Sequence, residues 1–439
     1  MGSSGTPPRI LLADADAFYV AVARLVDPVG AGAAPLLIVG GSAQHRGVVT
    51  SASYEARRYG VHSAMPMARA LRLCPDALAV PVPWEACVAK GREIKTVLER
   101  FTPAVEQASS DEFYLDLTGT ERLYKEEPLA LTARRIRDTV HQATSLTMSI
   151  GGGTSKLVAK LAASVAKPAP QPTSPSPRTG RGDRGEGRAT GVGDQGSGTR
   201  ENAEGVHIVE PGREGEFMRR FSLADIPGIG PKFQERLARL GLRSVDDALQ
   251  HDEQTLAGWL GAREGEWLHR RVRGLDDGAV EPFGDPKSIS RDDTFPQDLS
   301  DDAALAQKLL ELVDRATSDL RESGLLARTV TVRLRDADFT TRQASKTVPE
   351  PIDSDRAVLA VARDLLARLR AARPMPARLL GVALSGFIRP DAIVQLSLLD
   401  SAEAGPRETD RDRTLARTID QLRERFGKDA IARGRAPDA

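Results

Sequence analysis

Four carboxylates stand out for the chemistry they would do together. Asp14 and Asp16 close a short apolar run, Arg9-Ile10-Leu11-Leu12-Ala13, and Asp111-Glu112 lead into the alternating segment Phe113-Tyr114-Leu115-Asp116-Leu117. Carboxylates at the ends of neighbouring strands repel unless a cation lies between them. Magnesium takes a few carboxylate oxygens and leaves other positions for phosphate. Two such ions about 4 Å apart activate a hydroxyl and stabilise a departing phosphate. Taken singly, each pair has a plainer meaning: Asp16 as the cap of a following helix, Asp111-Glu112 as a solvated turn. Sequence spacing leaves both meanings open.

Other residues suit a phosphate-bearing partner. Tyr54 and Arg57 are three apart near a helix start and share a face. A phenol and a guanidinium there suit a polyphosphate, and an exposed helix with a Glu55–Arg58 pair is the alternative. Ile226-Pro227-Gly228-Ile229-Gly230-Pro231-Lys232 separates two helical stretches. Such a helix-hairpin-helix turn sets backbone N–H groups against a DNA phosphate without reading bases; a mere connector is the alternative. Leu260 to Gly265 reads as a weaker second copy. Arg328, Arg333, Arg335, Arg342 and Lys346 fall on predicted strands. Arg333 and Arg335, two apart, point to one face, which either follows phosphate backbones or is simply solvated. Gly151-Gly152-Gly153 reads as a close-packing turn between strand and helix. The six histidines show no metal-ligand spacing, and no Gly-x-x-x-x-Gly-Lys-Ser/Thr loop is present, which argues against an ATPase.

The elements that must hold these residues form an α+β order. The chain of 439 residues suggests about three domains. Sixty-one Lys+Arg balance sixty-one Asp+Glu, so net charge does not decide for or against nucleic acid. Two cysteines exclude a disulfide framework and fit a reduced, cytoplasmic compartment. No secretory signal is expected at Met1–Pro8, and no apolar run of about 18 residues predicts a membrane helix. Strands are predicted at residues 9–13, 35–40, 113–117 and 146–150, with helices at 17–26, 85–100 and 129–143. This order permits a split βαβ sheet with an inserted small subdomain. Residues 168–205 hold five Pro and nine Gly in 38 residues and no aromatic, a linker composition that cannot offset ordering entropy. A helical, Gly-punctuated stretch follows at Phe221–Leu275. A third region, Ser288–Pro390, alternates strand and helix, and a charged helix is predicted from about Arg411 to Phe426.

Together these motifs resemble the Y-family DNA polymerases, of the bacterial DNA polymerase IV type. The resemblance rests on Asp14-Ala15-Asp16-Ala17-Phe18-Tyr19, on Tyr54 to Val61, on Ser109-Ser110-Asp111-Glu112-Phe113-Tyr114-Leu115-Asp116, and on Ala159-Lys160 through Lys167-Pro168. Pro227-Gly228-Ile229-Gly230 and Lys287-Ser288-Ile289-Ser290 continue it, so that it spans about residues 9 to 390. It implies a right-hand polymerase with a ferredoxin-like palm (1–18 and 84–168), small fingers (19–83), a helix-hairpin-helix thumb (205–280), a tether (281–288) and an α+β little finger (289–390). Residues 169–204 would be a disordered insertion, and 391–439 a tail.

By the same resemblance, Asp14, Asp111 and Glu112 are the catalytic carboxylates. With the Ala15 carbonyl they would hold two Mg²⁺ ions, Glu112 lying near the primer 3′-hydroxyl. Ser51, Tyr54, Arg57 and Lys167 would bind the dNTP, and Tyr19 would be the steric gate against a 2′-hydroxyl. Gly228, Gly230, Lys232, Arg333 and Arg335 would bind DNA. Gln395, Leu398 and Leu399 would dock a replication sliding clamp, although Leu399 stands where Phe is common. Ala23-Arg24, Cys87, Gly91 and Ser155 also depart from the family pattern, away from the carboxylates. The implied activity is template-directed, low-fidelity translesion synthesis without proofreading, by a monomer acting on primer-template DNA and dNTPs. Three other readings exist: an inactive family member serving as an accessory subunit in mutagenic repair, a DNA-binding repair factor, and a nucleotidyl cyclase. The first loses the carboxylates that this chain keeps. The second leaves Tyr54 and Arg57 unused, and the third has no need of the Pro227–Lys232 hairpin.

Overall fold

Six consecutive buried residues, Ile10–Ala15 (β1), form a strand that has neighbours on both sides and helices on both faces. A strand sealed in this way reads as an unbroken apolar run rather than an alternation. The computed structural model describes residues 7–168, 205–284, 286–390, 408–427 and 430–431. The Pro/Gly-rich segment 169–204 and the peptide Gln395–Leu399 lie outside the described residues. The chain divides into two units, residues 1–41 with 47–284, and residues 42–46 with 285–439. Among the described residues no helix is long and apolar enough to cross a membrane.

In the first unit β1 is followed by Phe18–Val26 (α1), Leu37–Gly40 (β2), Val49–Ala52 (β3), Tyr54–Arg57 (α2), Met67–Leu73 (α3) and Leu78–Val80 (β4). Next come Trp84–Leu98 (α4), Val105–Gln107 (β5), Glu112–Asp116 (β6), Leu129–Thr144 (α5), Met148–Gly153 (β7), Lys156–Ala166 (α6) and Val206–Ile208 (β8). The main sheet has the order β5-β6-β1-β7-β8, and β2, β3 and β4 form a separate three-stranded sheet. On β1, alternate residues serve opposite faces. Leu11 and Ala13 join the core built on Ile94, Leu98, Ala133, Ile136 and Val140 of α4 and α5. Ile10 and Leu12 join Tyr114 and, on α6, Ala159 and Ala163. Period-two alternation therefore directs Asp14 to the α6 face.

The three glycines are strand, not turn: Met148–Gly153 is one continuous strand paired with β1. Their small size serves the close packing of α6. A Cβ on Gly151 would fall 1.9 Å from the Ala163 nitrogen and 2.2 Å from the Ala159 oxygen. Gly151→Ala is expected to force α6 outward at about 1–3 kcal/mol, lowering the melting temperature by about 2–10 °C. Thermal denaturation followed by circular dichroism measures this, and an unchanged midpoint would show that the helix shifts freely.

The unit continues through Glu214–Met218 (α7), Pro231–Arg239 (α8), Val245–Leu249 (α9), Glu253–Leu260 (α10) and Ala262–Arg271 (α11). These helices share a core with Leu157 and Leu161 of α6. Residue 261 alone joins α10 to α11, so the weaker hairpin signal at Leu260–Gly265 is also a helix-to-helix junction.

The second unit contains Ser288–Leu299 (β9), Asp302–Glu322 (α12), Leu326–Asp336 (β10), Thr341–Ile352 (β11), Asp355–Ala372 (α13), Ala377–Ile388 (β12) and Asp410–Phe426 (α14). Its four-stranded sheet has the order β11-β10-β12-β9, antiparallel throughout, with α12 and α13 on one face. Helix α14 buries Ala416 and Ile419 and is pinned by charge. The Arg321 guanidinium, 6% exposed, lies 2.9 Å from Asp355 Oδ1 and 2.6 Å from Asp420 Oδ2. A buried cation so placed needs both partners, because losing either leaves charge uncompensated.

Candidate active site

Strand pairing brings the separated carboxylates together. Asp14 on β1 is directly opposite Glu112 on β6, and on its other side opposite Ser149 on β7. The Ala15 N–H donates to the Asp111 carbonyl at 2.9 Å. Asp111 thus sits beside the end of β1 although 97 residues separate it from Asp14 in sequence. Asp16 does not cap α1. Residue 17 stands at that position without a side-chain bond, and Asp16 Oδ1 accepts from Ser149 Oγ at 2.6 Å. Nor are Asp111-Glu112 a turn alone: Glu112 is the first residue of β6, and Ser109 Oγ donates to Asp111 Oδ1 at 2.7 Å.

The acids are held by cations on α6 and at its C-cap. Lys167 Nζ lies 2.6 Å from Asp14 Oδ2, and Lys160 Nζ lies 2.9 and 2.8 Å from the two Glu112 oxygens. Lys156 pairs in the same manner with Glu106 on β5 at 2.7 and 2.6 Å. Burial pushes the Asp14 carboxyl up to about 6, Lys167 pulls it down, and the Glu112 and Asp111 carboxylates push it up again. Among the described residues no three carboxylate, histidine or cysteine side chains converge on one point as they stand. Each of the three acids is instead engaged by a lysine or a serine. The donor set nevertheless suits a hard divalent cation, being all oxygen. The repulsion that Glu112 and Asp111 exert on Asp14 is what such a cation relieves.

Tyr54 and Arg57 stand at the two ends of α2, whose N-cap Ser53 accepts from the Ala56 N–H at 3.2 Å. The Arg57 guanidinium lies over the Tyr54 ring, 5.0 Å from its centroid, and Arg57 Nε donates to the Ala52 carbonyl at 2.9 Å. Burial pushes the Tyr54 phenol up to about 12; the Asp16 and Asp14 carboxylates add to the rise and Arg57 opposes it. The phenol is therefore within electrostatic range of Asp14 at the end of β1 and of Asp16 just beyond it. Ser51 is buried on β3, opposite Val39. Tyr19 lies in the first turn of α1, its hydroxyl 2.7 Å from Ser110 Oγ.

Residues 13–164 match the impB/mucB/samB family, residues 286–398 that family's C-terminal domain, and residues 224–276 the thumb domain of DNA polymerase-iota. The chain is 32% identical over 423 residues to the DNA polymerase IV of Caulobacter vibrioides, covering 96% of this chain and 93% of that one. The chain belongs to the Y-family DNA polymerases. It is also 35% identical over 385 residues to the DNA polymerase IV of Methanoculleus marisnigri, covering 87% of this chain and 95% of that one. Its fold is that of a Y-family DNA polymerase chimera of Dbh and Dpo4, with a TM-score of 0.70 at 23% identity over 87% of this chain and 99% of that one.

In this Y-family chain the thumb turn depends on one glycine in two ways. Gly228 has φ +99°, and a Cβ there would meet the Trp267 ring at 2.8 Å. Gly230 is the N-cap of α8, Pro231 its first residue, and Lys232 is exposed. On the little finger, Arg333 and Arg335 share the sheet face that the helices leave uncovered. Arg333 Nη1 lies 3.4 Å from Asp292 Oδ1, and Arg335 Nε donates to Thr341 Oγ1 at 2.9 Å. Arg342 and Lys346 do not belong to that basic face. Their β10 partners are Leu334 and Val330, which face the helices, and Arg342 is tied to buried Asp336 at 2.8 and 3.1 Å. The alternation of β11 separates them from the open face.

Lys160 stands in the matched Ala159–Pro168 motif, but the motif reading gave it no role, and the structure pairs it with Glu112. A signal existed: Lys156, Lys160 and Lys167 are spaced i, i+4 and i+11, which aligns them on one helical face.

Proposed function

We propose that this chain is a low-fidelity translesion polymerase that joins a dNTP to a primer 3′-hydroxyl opposite damaged template, with pyrophosphate leaving. The observation that carries the reading is the register Asp14↔Glu112 together with the Ala15–Asp111 hydrogen bond. It gathers three carboxylates at one end of a buried strand pair. Members of this family work with divalent metal ions. Asp14, Asp111, Glu112 and the Ala15 carbonyl would hold two Mg²⁺, which supply charge stabilisation to the attacking and departing oxygens. Glu112 lies nearest the primer terminus in this reading. Tyr54 and Arg57, already stacked, present a phenol and a guanidinium to the triphosphate, with Ser51 nearby. Lys167 turns from Asp14 to the phosphates once Asp14 is otherwise neutralised. Tyr19 closes the space beside the sugar.

DNA is held by the backbone N–H groups at Gly228 and Gly230, by Lys232, and by the Arg333–Arg335 face. Positioning of this kind, with electrostatic preorganisation, carries most of the acceleration. The deciding experiment is primer extension with Mg²⁺ and four dNTPs on undamaged and lesion-bearing template. Extension of both supports the reading. Tight DNA binding without extension would favour the inactive accessory subunit.

The peptide Gln395-Leu396-Ser397-Leu398-Leu399 is proposed as the contact to a sliding clamp by an otherwise monomeric enzyme. Gln395 supplies an amide for a pocket rim, and Leu398 and Leu399 supply apolar area. A tethered peptide gains from effective concentration once the enzyme is on DNA. Replacing all three with Ala is expected to lower processivity on clamp-loaded primer by about tenfold, while single-nucleotide insertion on naked primer stays unchanged. Equal clamp stimulation of parent and triple variant would remove the clamp from the partners.

A further inference from the structure

A steric gate discriminates only as far as it resists being pushed. If the ring that meets a 2′-hydroxyl can swing away, the penalty on a ribonucleotide is the cost of moving the ring, not the cost of the clash. What holds Tyr19 is therefore a specificity question of its own. Its ring touches Phe18 edge-on at 5.3 Å and Trp84 edge-on at 5.9 Å. Phe18 is buried, but Trp84 is 61% exposed and is a yielding wall. The directional tie is the 2.7 Å hydrogen bond between the Tyr19 hydroxyl and Ser110 Oγ.

Ser110 is itself on a stiff base. The Ala108 and Ser109 N–H groups both donate to the Glu112 carbonyl, at 2.9 and 3.3 Å. Ser109 Oγ accepts from the N–H groups of Asp111 and Glu112, at 3.3 and 3.1 Å. The next carbonyl, that of Asp111, is fixed to β1 by the Ala15 N–H. On the other side α4 comes close: a Cβ at residue 91 would lie 3.1 Å from the Ser110 carbonyl oxygen, so glycine there leaves the loop its room.

We propose that Ser110 is a positioning residue for sugar selection, its hydroxyl holding the Tyr19 ring where it meets a 2′-substituent. The inference rests on the reading of Tyr19 as the steric gate. It adds that this gate is latched by the loop that also carries Asp111. Ribonucleotide exclusion and the placement of a catalytic carboxylate then share one short segment.

The test is single-nucleotide incorporation by the full chain, measured as the rNTP/dNTP efficiency ratio on one preparation, so that any loss of folded enzyme cancels. Ser110→Val removes the hydroxyl, and Ser110→Thr keeps it on the same branched shape. Ser110→Val and Tyr19→Phe are each expected to raise the ratio about two- to tenfold, the span one hydrogen bond supports. The double variant should exceed neither single, since both break the same bond. Ser110→Thr should keep the parental ratio. An unchanged ratio in Ser110→Val, multiplication of the two effects, or Thr behaving as Val would each overturn the proposal. Tyr19→Ala separates the two levels. If it raises the ratio while Ser110→Val does not, the latch alone fails; if it too is silent, the gate reading fails with it.

Discussion

Asp14→Ala or Asp111→Ala is expected to reduce primer extension by about 10³-fold or more, because several kcal/mol of charge stabilisation at the reacting phosphate is lost. DNA affinity should be largely retained, since the proposed phosphate contacts lie in the thumb and little finger. Asp14 also permits a stability test of opposite sign. Its carboxyl is pushed up to about 6 from an ordinary 3.8, chiefly by burial. An acid whose folded pKa is raised is best tolerated when protonated. Its contribution favours the fold below about pH 4 and is lost as pH rises through about 6. At pH 7.5 the ionised Asp14 therefore costs about 2–3 kcal/mol. Asp14→Asn should raise the melting temperature at pH 7.5 and lose that advantage as the pH is lowered toward 4. The same variant should be inactive. An inactive protein that is more stable than its parent would mark Asp14 as kept for chemistry at a cost to folding. Normal extension by the Ala variants would remove the acids from the mechanism.

Tyr19→Ala is the second large effect. Removing the ring should raise rNTP incorporation relative to dNTP by about 5- to 160-fold, the range that 1–3 kcal/mol of steric clash sets. The change should appear as improved rNTP efficiency rather than as a collapse of dNTP incorporation, because the proposed role of the ring is to exclude a substituent that a deoxynucleotide lacks. Steady-state kinetics with matched rNTP and dNTP pairs measures both. An unchanged ratio would place the gate elsewhere.

The local order of elements was legible in the sequence where periodicity was strong. The predicted 129–143 helix is Leu129–Thr144, and the predicted charged helix is Asp410–Phe426. Helix periodicity is a short-range property, written within one stretch of chain. Gly151–Gly153 were misread as a turn for the same reason. Glycine has little intrinsic preference for a strand, and what keeps these three extended is the β1 ladder on one side and α6 pressed against them. Neither partner is adjacent in sequence. Arg342 shows the converse limit, since alternation along β11 was legible but which face the helices cover was not.

The sequence by itself determined which residue types are available for the proposed chemistry: the acids at 14, 111 and 112, the phenol and guanidinium at 54 and 57, and the Pro-Gly-Ile-Gly turn at 227–230. Residue type alone gives that much, because a carboxylate is an oxygen donor and a glycine permits φ +99° wherever the chain places it. Only the tertiary structure decided that the three acids come to one end of the sheet. Asp14 faces Glu112 because antiparallel pairing of β1 with β6 sets that register. Lys160 and Lys167 reach the acids because the bare Gly151 lets α6 lie against the same sheet face. Ser110 reaches Tyr19 because the β5–β6 loop is folded over and bound to β1. Each is a contact across about 50 to 150 residues of chain. The free energy of such contacts depends on which surfaces are buried together, and that is settled by the whole fold rather than by any one segment.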